Sequence, residues 1–261
     1  MRFYCRFKQC LFLLLFLFLP GLVLAQTDSS GSGSASESLD AAALIRKIET
    51  QYQGATSHGT SRMIVKTKSY DRSMVLESWA EGRDKFIARI LEPAKERGTA
   101  TLKVDSQIWN FLPKIDRLMK IPSSLMGDKW MGSHLTNDDL VKDAKIDETY
   151  TFTVLEKNAK IAVIQGIPKP DAAVVWGKVI YRADLERQVP ISVEYFDEDG
   201  AKVRIIRFDQ VEQLQGRWLP RIFRVEPLDQ PGEYTEMRYE KITFDVNIPK
   251  GTFSTQNLRN L

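Results

Sequence analysis

Two stretches carry the clearest alternation in the chain. Tyr150, Phe152 and Val154 alternate with Thr149, Thr151 and Thr153, and Val189, Ile191, Val193 and Tyr195 alternate with Pro190, Ser192 and Glu194. A period of two with one polar face predicts strands in sheets that are wet on one side. Apolar runs predict further strands near 62–68, 74–80, 85–91, 99–104, 107–112, 117–121, 160–167, 175–182, 202–212, 217–225 and 234–244. One segment has a different period. Across 39–52, Ala41, Leu44, Ile45, Ile48 and Tyr52 recur at spacings of three and four, which predicts an amphipathic helix with a single apolar stripe. Ser38 or Asp40 is its expected N-cap and Gly54 its stop.

The turns fit consecutive hairpins. Asp199-Gly200, Gln215-Gly216 and Pro113-Lys114-Ile115-Asp116 each separate two strand runs, the first with type I′ chemistry. Prolines 93, 113, 122, 168, 190 and 220 fall where strands are expected to end. A meander of about a dozen strands with one helix buries both elements best if the sheet curls and the helix lies across its concave face. The expected fold is therefore mainly β: an open, unclosed, strongly curved antiparallel β-barrel with an N-terminal amphipathic helix and a lid segment over the concave face. A β-sandwich is the rival, and it leaves the helix outside the core.

The first 25 residues alter the picture of what remains. Arg2, Arg6 and Lys8 precede an apolar run from Leu11 to Leu19, followed by Pro20 and the small-residue end Val23-Leu24-Ala25. This is the pattern of a secretory signal peptide cleaved after Ala25, and the run is shorter than the roughly 20 residues a membrane span needs. Export to the periplasm is the expectation. Cys5 and Cys10 leave with the leader, so no disulfide, thiol chemistry or lipid-anchored cysteine is expected in the mature chain. Cleavage also removes three of the 37 basic and none of the 34 acidic residues, leaving 34 of each. Nucleic acid then has no electrostatic claim on the protein. Residues 26–38, QTDSSGSGSASES, read as a flexible linker, and 39–261 as one all-β domain.

No catalytic constellation is visible. Beyond the leader the chain has no cysteine and two histidines, His58 and His134, and Ser133-His134 lacks a nucleophile-elbow context. His134 with Asp138 and Asp139 lacks metal-ligand spacing; Asn137-Asp138-Asp139 instead suits the cap of a short helix beginning near Leu140. Asp197-Glu198-Asp199 reads as a solvated hairpin turn rather than a glycosidase pair. No cofactor or metal is expected. The informative stretch is 96–140, ERGTATLKVDSQIWNFLPKIDRLMKIPSSLMGDKWMGSHLTNDDL, with three of the seven methionines between 119 and 131. Trp109, Phe111, Met119 and Ile121 lie on alternating strand positions, whereas Leu125, Met126, Trp130 and Met131 lie on a loop bracketed by Gly127 and Gly132. Apolar side chains on a glycine-flanked loop suggest a gate over an apolar cavity, with methionine adapting to variable occupants.

Three motifs in this stretch, RGTATLKV, IWNFLPKIDRLMKIP and MGDKWMGSHLTNDDL, resemble the bacterial outer membrane lipoprotein-sorting proteins, distant relatives of the LolA and LolB carriers and of a treponemal lipoprotein domain. The resemblance covers nearly all of the chain beyond the leader. It implies an unclosed β-barrel with a helical lid over a hydrophobic cavity, and a carrier that moves acyl chains between membranes without covalent chemistry. On that basis the expected lipid-binding residues are Trp109, Phe111, Met119, Ile121, Leu125, Met126, Trp130 and Met131. The expected partners are acyl chains of lipids or lipoproteins, an inner-membrane exporter of the RND or ABC type, and a transiently contacted membrane. The alternative is a periplasmic adaptor or sensor module working with such an exporter or a regulator. The missing lipobox cysteine favours the soluble carrier over the anchored acceptor.

Overall fold

The computed structural model describes residues 39–51, 54–142, 145–172 and 174–259. The leader, the linker, the alternative cap Ser38 and the helix position Tyr52 lie outside them. The first element is α1 (Ala41–Gln51), begun by the Asp40 carboxylate, which accepts a hydrogen bond from the Ala43 N–H at 3.0 Å. Its stripe Ala41, Leu44, Ile45 and Ile48 is buried, as the spacing predicts.

Thirteen strands follow: β1 (Thr56–Lys66), β2 (Asp71–Glu81), β3 (Lys85–Glu92), β4 (Ala100–Val104), β5 (Gln107–Leu112) and β6 (Arg117–Lys120), then β7 (Tyr150–Lys157), β8 (Ile161–Pro168), β9 (Lys178–Asp184), β10 (Val189–Phe196), β11 (Lys202–Leu214), β12 (Arg217–Pro227) and β13 (Tyr234–Phe244). They form one antiparallel sheet in the order β6-β5-β4-β3-β2-β1-β13-β12-β11-β10-β9-β8-β7. Every neighbouring pair is sequential except β1 and β13, and the sheet does not close, since β6 and β7 are its edges. Its curvature follows from the core. Met63, Met74, Leu76 and Ile90 from one half share a buried cluster with Ala162, Ile164, Val179, Val193 and Val225 from the other, together with Leu44, Ile45 and Ile48 of α1. Strands that far apart in a sheet meet only if the sheet curls around the helix.

The hairpins are mostly where the turn residues put them. Gln215 and Gly216 both have positive φ, 49° and 77°, between the paired Leu214 and Arg217, which is the two-residue hairpin turn expected from such a pair. The boundaries differ in places. β1 starts at Thr56 rather than 62, because the small polar residues of its first half, with Ser57 and Ser61 buried, pair with β2 and β13 without any apolar alternation to announce them. β9 starts at Lys178 rather than 175. Pro220 lies inside β12, opposite Val211, rather than at a strand end; β12 pairs with β13 only over Ile222 to Val225, so Pro220 has a strand neighbour on one side alone.

The connection between the two sheet edges, from β6 to β7, crosses the concave face as a strap. It contains α2 (Asn137–Lys142) and α3 (Ile146–Thr149). α2 begins three residues before the expected Leu140, because Thr136 caps it: the Asp139 carboxylate accepts from the Thr136 N–H at 2.7 Å and the Asp139 N–H donates back to the Thr136 hydroxyl at 3.1 Å.

Candidate functional site

The strap is pinned at successive points. The Trp130 indole N–H donates to the Thr101 hydroxyl of β4 at 3.0 Å. Arg72 of β2 donates to the Met131 carbonyl, and the Tyr70 hydroxyl, in the turn before β2, donates to the Gly132 carbonyl, each at 2.8 Å. His134 receives its place from β13, where its backbone N–H donates to the Thr235 hydroxyl at 2.8 Å. Asp139 then accepts two hydrogen bonds from the Arg204 guanidinium of β11, at 2.7 and 2.9 Å. These anchors fall on β4, β2, β13 and β11, the order in which the strands lie across the sheet. Gly132 is needed here twice over: its φ is +70°, and a Cβ would stand 3.3 Å from the Arg72 guanidinium.

This geometry scatters the eight residues expected to bind acyl chains. Trp109 and Phe111 pack on the outer face, in a second cluster with Ile87, Leu102 and Leu258 under the C-terminal segment. Met119 and Ile121 have the opposite parity: Met119 pairs with Asn110, and the Ile121 N–H donates to the Ile108 carbonyl. Leu125 is 43% exposed and Met126 half-buried, and the Met126 carbonyl is held by the Asp138 N–H at 2.8 Å. Trp130 is only 3% exposed and meets Phe86 edge to face; Met131 packs beside it on the inner cluster. The loop is thus an anchored strap rather than a free glycine-hinged flap, because the Met131 and Gly132 carbonyls and the Trp130 ring are bonded to β2, the turn before it and β4.

The empty volume lies further along the strap, and none of the eight residues lines it. One cavity of about 230 Å³ is walled by Leu135 and Leu140 of the strap and by Val193, Tyr195, Ile206, Phe208, Phe223 and Tyr239 of the sheet, with Tyr181, Pro190, Glu49 and Asp139 at its margin. A second, of about 220 Å³, has Leu140 and Tyr239 as a shared wall and continues over Ala80, Phe86, Lys103 and Ile242. Sequence reasoning missed these walls. The signal was there in β11, where Arg204, Ile206 and Phe208 share one parity, an arginine in a row of apolar positions.

Charge is handled differently in the two cavities. Beside the first, Asp139 and Arg204 form a buried ion pair, and the guanidinium also lies 4.1 Å from the Tyr195 ring and 4.5 Å from that of Trp176. Glu49, at the end of α1, is pushed up to about 7 by burial, against the Tyr181 hydroxyl that donates to it at 3.3 Å. Beside the second, Lys103 of β4 is 3% exposed, donates to the Arg83 carbonyl at 2.6 Å and is pushed down to about 8 by burial. Arg83 itself is bound to Asp147 of α3, which also accepts from Arg46 of α1 at 2.9 Å. Burial works against that carboxylate, but the two guanidiniums hold it below the usual range.

The histidines are occupied elsewhere. The His134 ring lies 2.9 Å from the Thr235 hydroxyl and 3.3 Å from the Glu233 carboxylate, while His58 stacks on Trp79 at 4.8 Å and bonds Glu77. Among the described residues no group of three or more His, Cys, Asp or Glu side chains is placed to hold a metal ion, and no helix is long and apolar enough to cross a membrane.

The model of a family described as "Uncharacterized protein" matches residues 82–260. The chain belongs to that family, and its fold is LolA-like. Three crystal structures share the fold. A DUF1329 family protein from Desulfovibrio piger is 17% identical with a TM-score of 0.75, over 83% of this chain and 97% of that one. An outer membrane lipoprotein-sorting protein domain from Vibrio parahaemolyticus is 22% identical with a TM-score of 0.72, over 84% and 98%. A LolA superfamily protein from Nitrosomonas europaea is 16% identical with a TM-score of 0.69, over 84% and 99%. No curated protein matches the chain in sequence. These likenesses agree with the resemblance carried by the three motifs of residues 96–140, and with an open curved sheet rather than a sandwich.

Proposed function

We propose that the protein is a periplasmic carrier, released by cleavage after Ala25, that takes the acyl chains of lipids or lipoproteins into the cavity under Leu140 and moves them between membranes without covalent chemistry. The observation that carries this reading is the apolar, largely aromatic wall of that cavity, built from Val193, Ile206, Phe208, Phe223 and Tyr239 beneath the strap. Each methylene withdrawn from water there contributes about 0.8 kcal/mol, so uptake is favourable and release is the step that a partner must promote. An inner-membrane exporter of the RND or ABC type is the partner this reading calls for. The fold shared with proteins named for lipoprotein sorting supports the same assignment. Of the sequence-predicted residues, Trp130 and Met131 enter it as anchors of the strap that roofs the cavity.

The test is direct. Protein purified from its native compartment is examined by native mass spectrometry for bound lipid, and the delipidated protein is titrated with a fluorescent fatty acid. Leu140→Trp fills the shared wall of both cavities and is expected to lower that uptake at least tenfold while the fold is retained. Protein that is always empty and takes up no fatty acid refutes the carrier reading.

A further inference from the structure

Lys103 is the buried charge that the acyl cavity does not use. It lies on β4 between Phe86 of β3 and Ile108 of β5, on the inner face of the sheet, and its side chain reaches the cavity lined by Ala80, Phe86, Leu140, Tyr239 and Ile242. An ammonium has three N–H groups to satisfy. Lys103 gives one to the Arg83 carbonyl, and among the described residues it forms no salt bridge. The nearby carboxylates are engaged or turned outward: Asp84 pairs with Lys145 at 2.6 Å, Asp147 with Arg83 and Arg46, and Asp105 sits in the exposed turn after β4. Asp84 and Asp105 act on it only at a distance, and a cation 97% removed from solvent without a bonded counter-ion is costly to keep.

The geometry points to a headgroup subsite: the second cavity receives the anionic head of an amphiphile, a carboxylate or a phosphate, on the Lys103 ammonium, while its tail runs past Leu140 and Tyr239 toward the aromatic cavity. This rests on the carrier reading and narrows its cargo. Arg83 and Lys85 also line the second cavity, but each is paired with a carboxylate of the fold, Asp147 and Glu81. The two cavities share Leu140 and Tyr239 as a wall, so one amphiphile has an apolar route leading away from the Lys103 ammonium. The anion supplies the counter-charge that the fold withholds, and a charge-assisted hydrogen bond in a dry site is among the stronger polar contacts. A neutral lipid leaves the ammonium unmatched and gains nothing from it.

Sodium laurate, dodecanol and sodium acetate are titrated into the delipidated protein by calorimetry. The wild type is expected to bind laurate about tenfold or more tighter than dodecanol, with acetate far weaker than either. In Lys103→Met the two twelve-carbon probes are expected to bind alike, and in Lys103→Arg the preference for laurate is expected to persist. Thermal melts of both variants establish that they fold. Equal binding of laurate and dodecanol to the wild type, or an undiminished preference in Lys103→Met, overturns the headgroup subsite while leaving the carrier reading standing. Acetate binding as tight as laurate overturns it in favour of a free-anion site. Binding of neither twelve-carbon probe overturns both.

Discussion

Leu140 and Tyr239 divide the inner face into two cavities of nearly equal volume and opposite chemistry. On the aromatic side the buried charges are matched or partly shed: Asp139 is bidentate to Arg204, and Glu49, pushed up to about 7, keeps its proton for part of the time near neutral pH. On the other side Lys103 carries a charge that no carboxylate among the described residues bonds. Pairing and neutralisation serve the folded state by itself; an unmatched cation serves it only when something else is bound. The contrast separates what holds the sheet curved from what the interior is shaped to receive.

Four changes break or sharpen this contrast. The largest effect is expected from Asp139→Ala, which strands the Arg204 guanidinium in the interior and removes the cap interaction of α2; about 3–5 kcal/mol of stability is lost, read by urea denaturation. Trp130→Ala follows, at about 3 kcal/mol, because it empties a buried indole site and releases the Thr101 hydroxyl; a loss under about 0.5 kcal/mol instead returns the loop to the status of a free gate. Lys103→Met has the opposite sign: exchanging an unmatched buried cation for a side chain of similar length raises stability by about 1–2 kcal/mol, measured as an upward shift in Tm. The last effect is a slope rather than a step and concerns Glu49. Its carboxyl stays protonated in the folded chain up to about 7 but ionises from its ordinary 4.5 when unfolded, so the folded state holds the extra proton between those values. Stability therefore falls as pH rises through that window, by at most about 1.4 kcal/mol per pH unit from this group, and Glu49→Gln is expected to flatten the slope.

The sheet was legible because alternation and turn chemistry are local. The Tyr150 to Val154 alternation, the stripe of α1 and the Gln215-Gly216 turn each report on a few consecutive residues, and each appears in the fold. The cavity was not legible, for two physical reasons. Period-two alternation marks two faces without saying which is inside, so Trp109 and Phe111 looked equivalent to Met119 and Ile121 although they lie on opposite faces. Near the glycines the strap is held through backbone carbonyls of Met131 and Gly132 and an indole N–H, groups that leave no trace in a hydrophobic pattern. Trp130 and Met131 therefore read as parts of a flap, although the indole of one and the carbonyl of the other fasten the strap.

That the strap meets β4, β2, β13 and β11 in their spatial order makes it a bowstring to the sheet's bow. The two outermost strands are not paired with each other, so this tether and the core packed around α1, rather than a closed ring of hydrogen bonds, hold the bow bent. A barrel has a fixed girth; the girth of a strung sheet depends on its fastenings, and none of those fastenings is a strand pair.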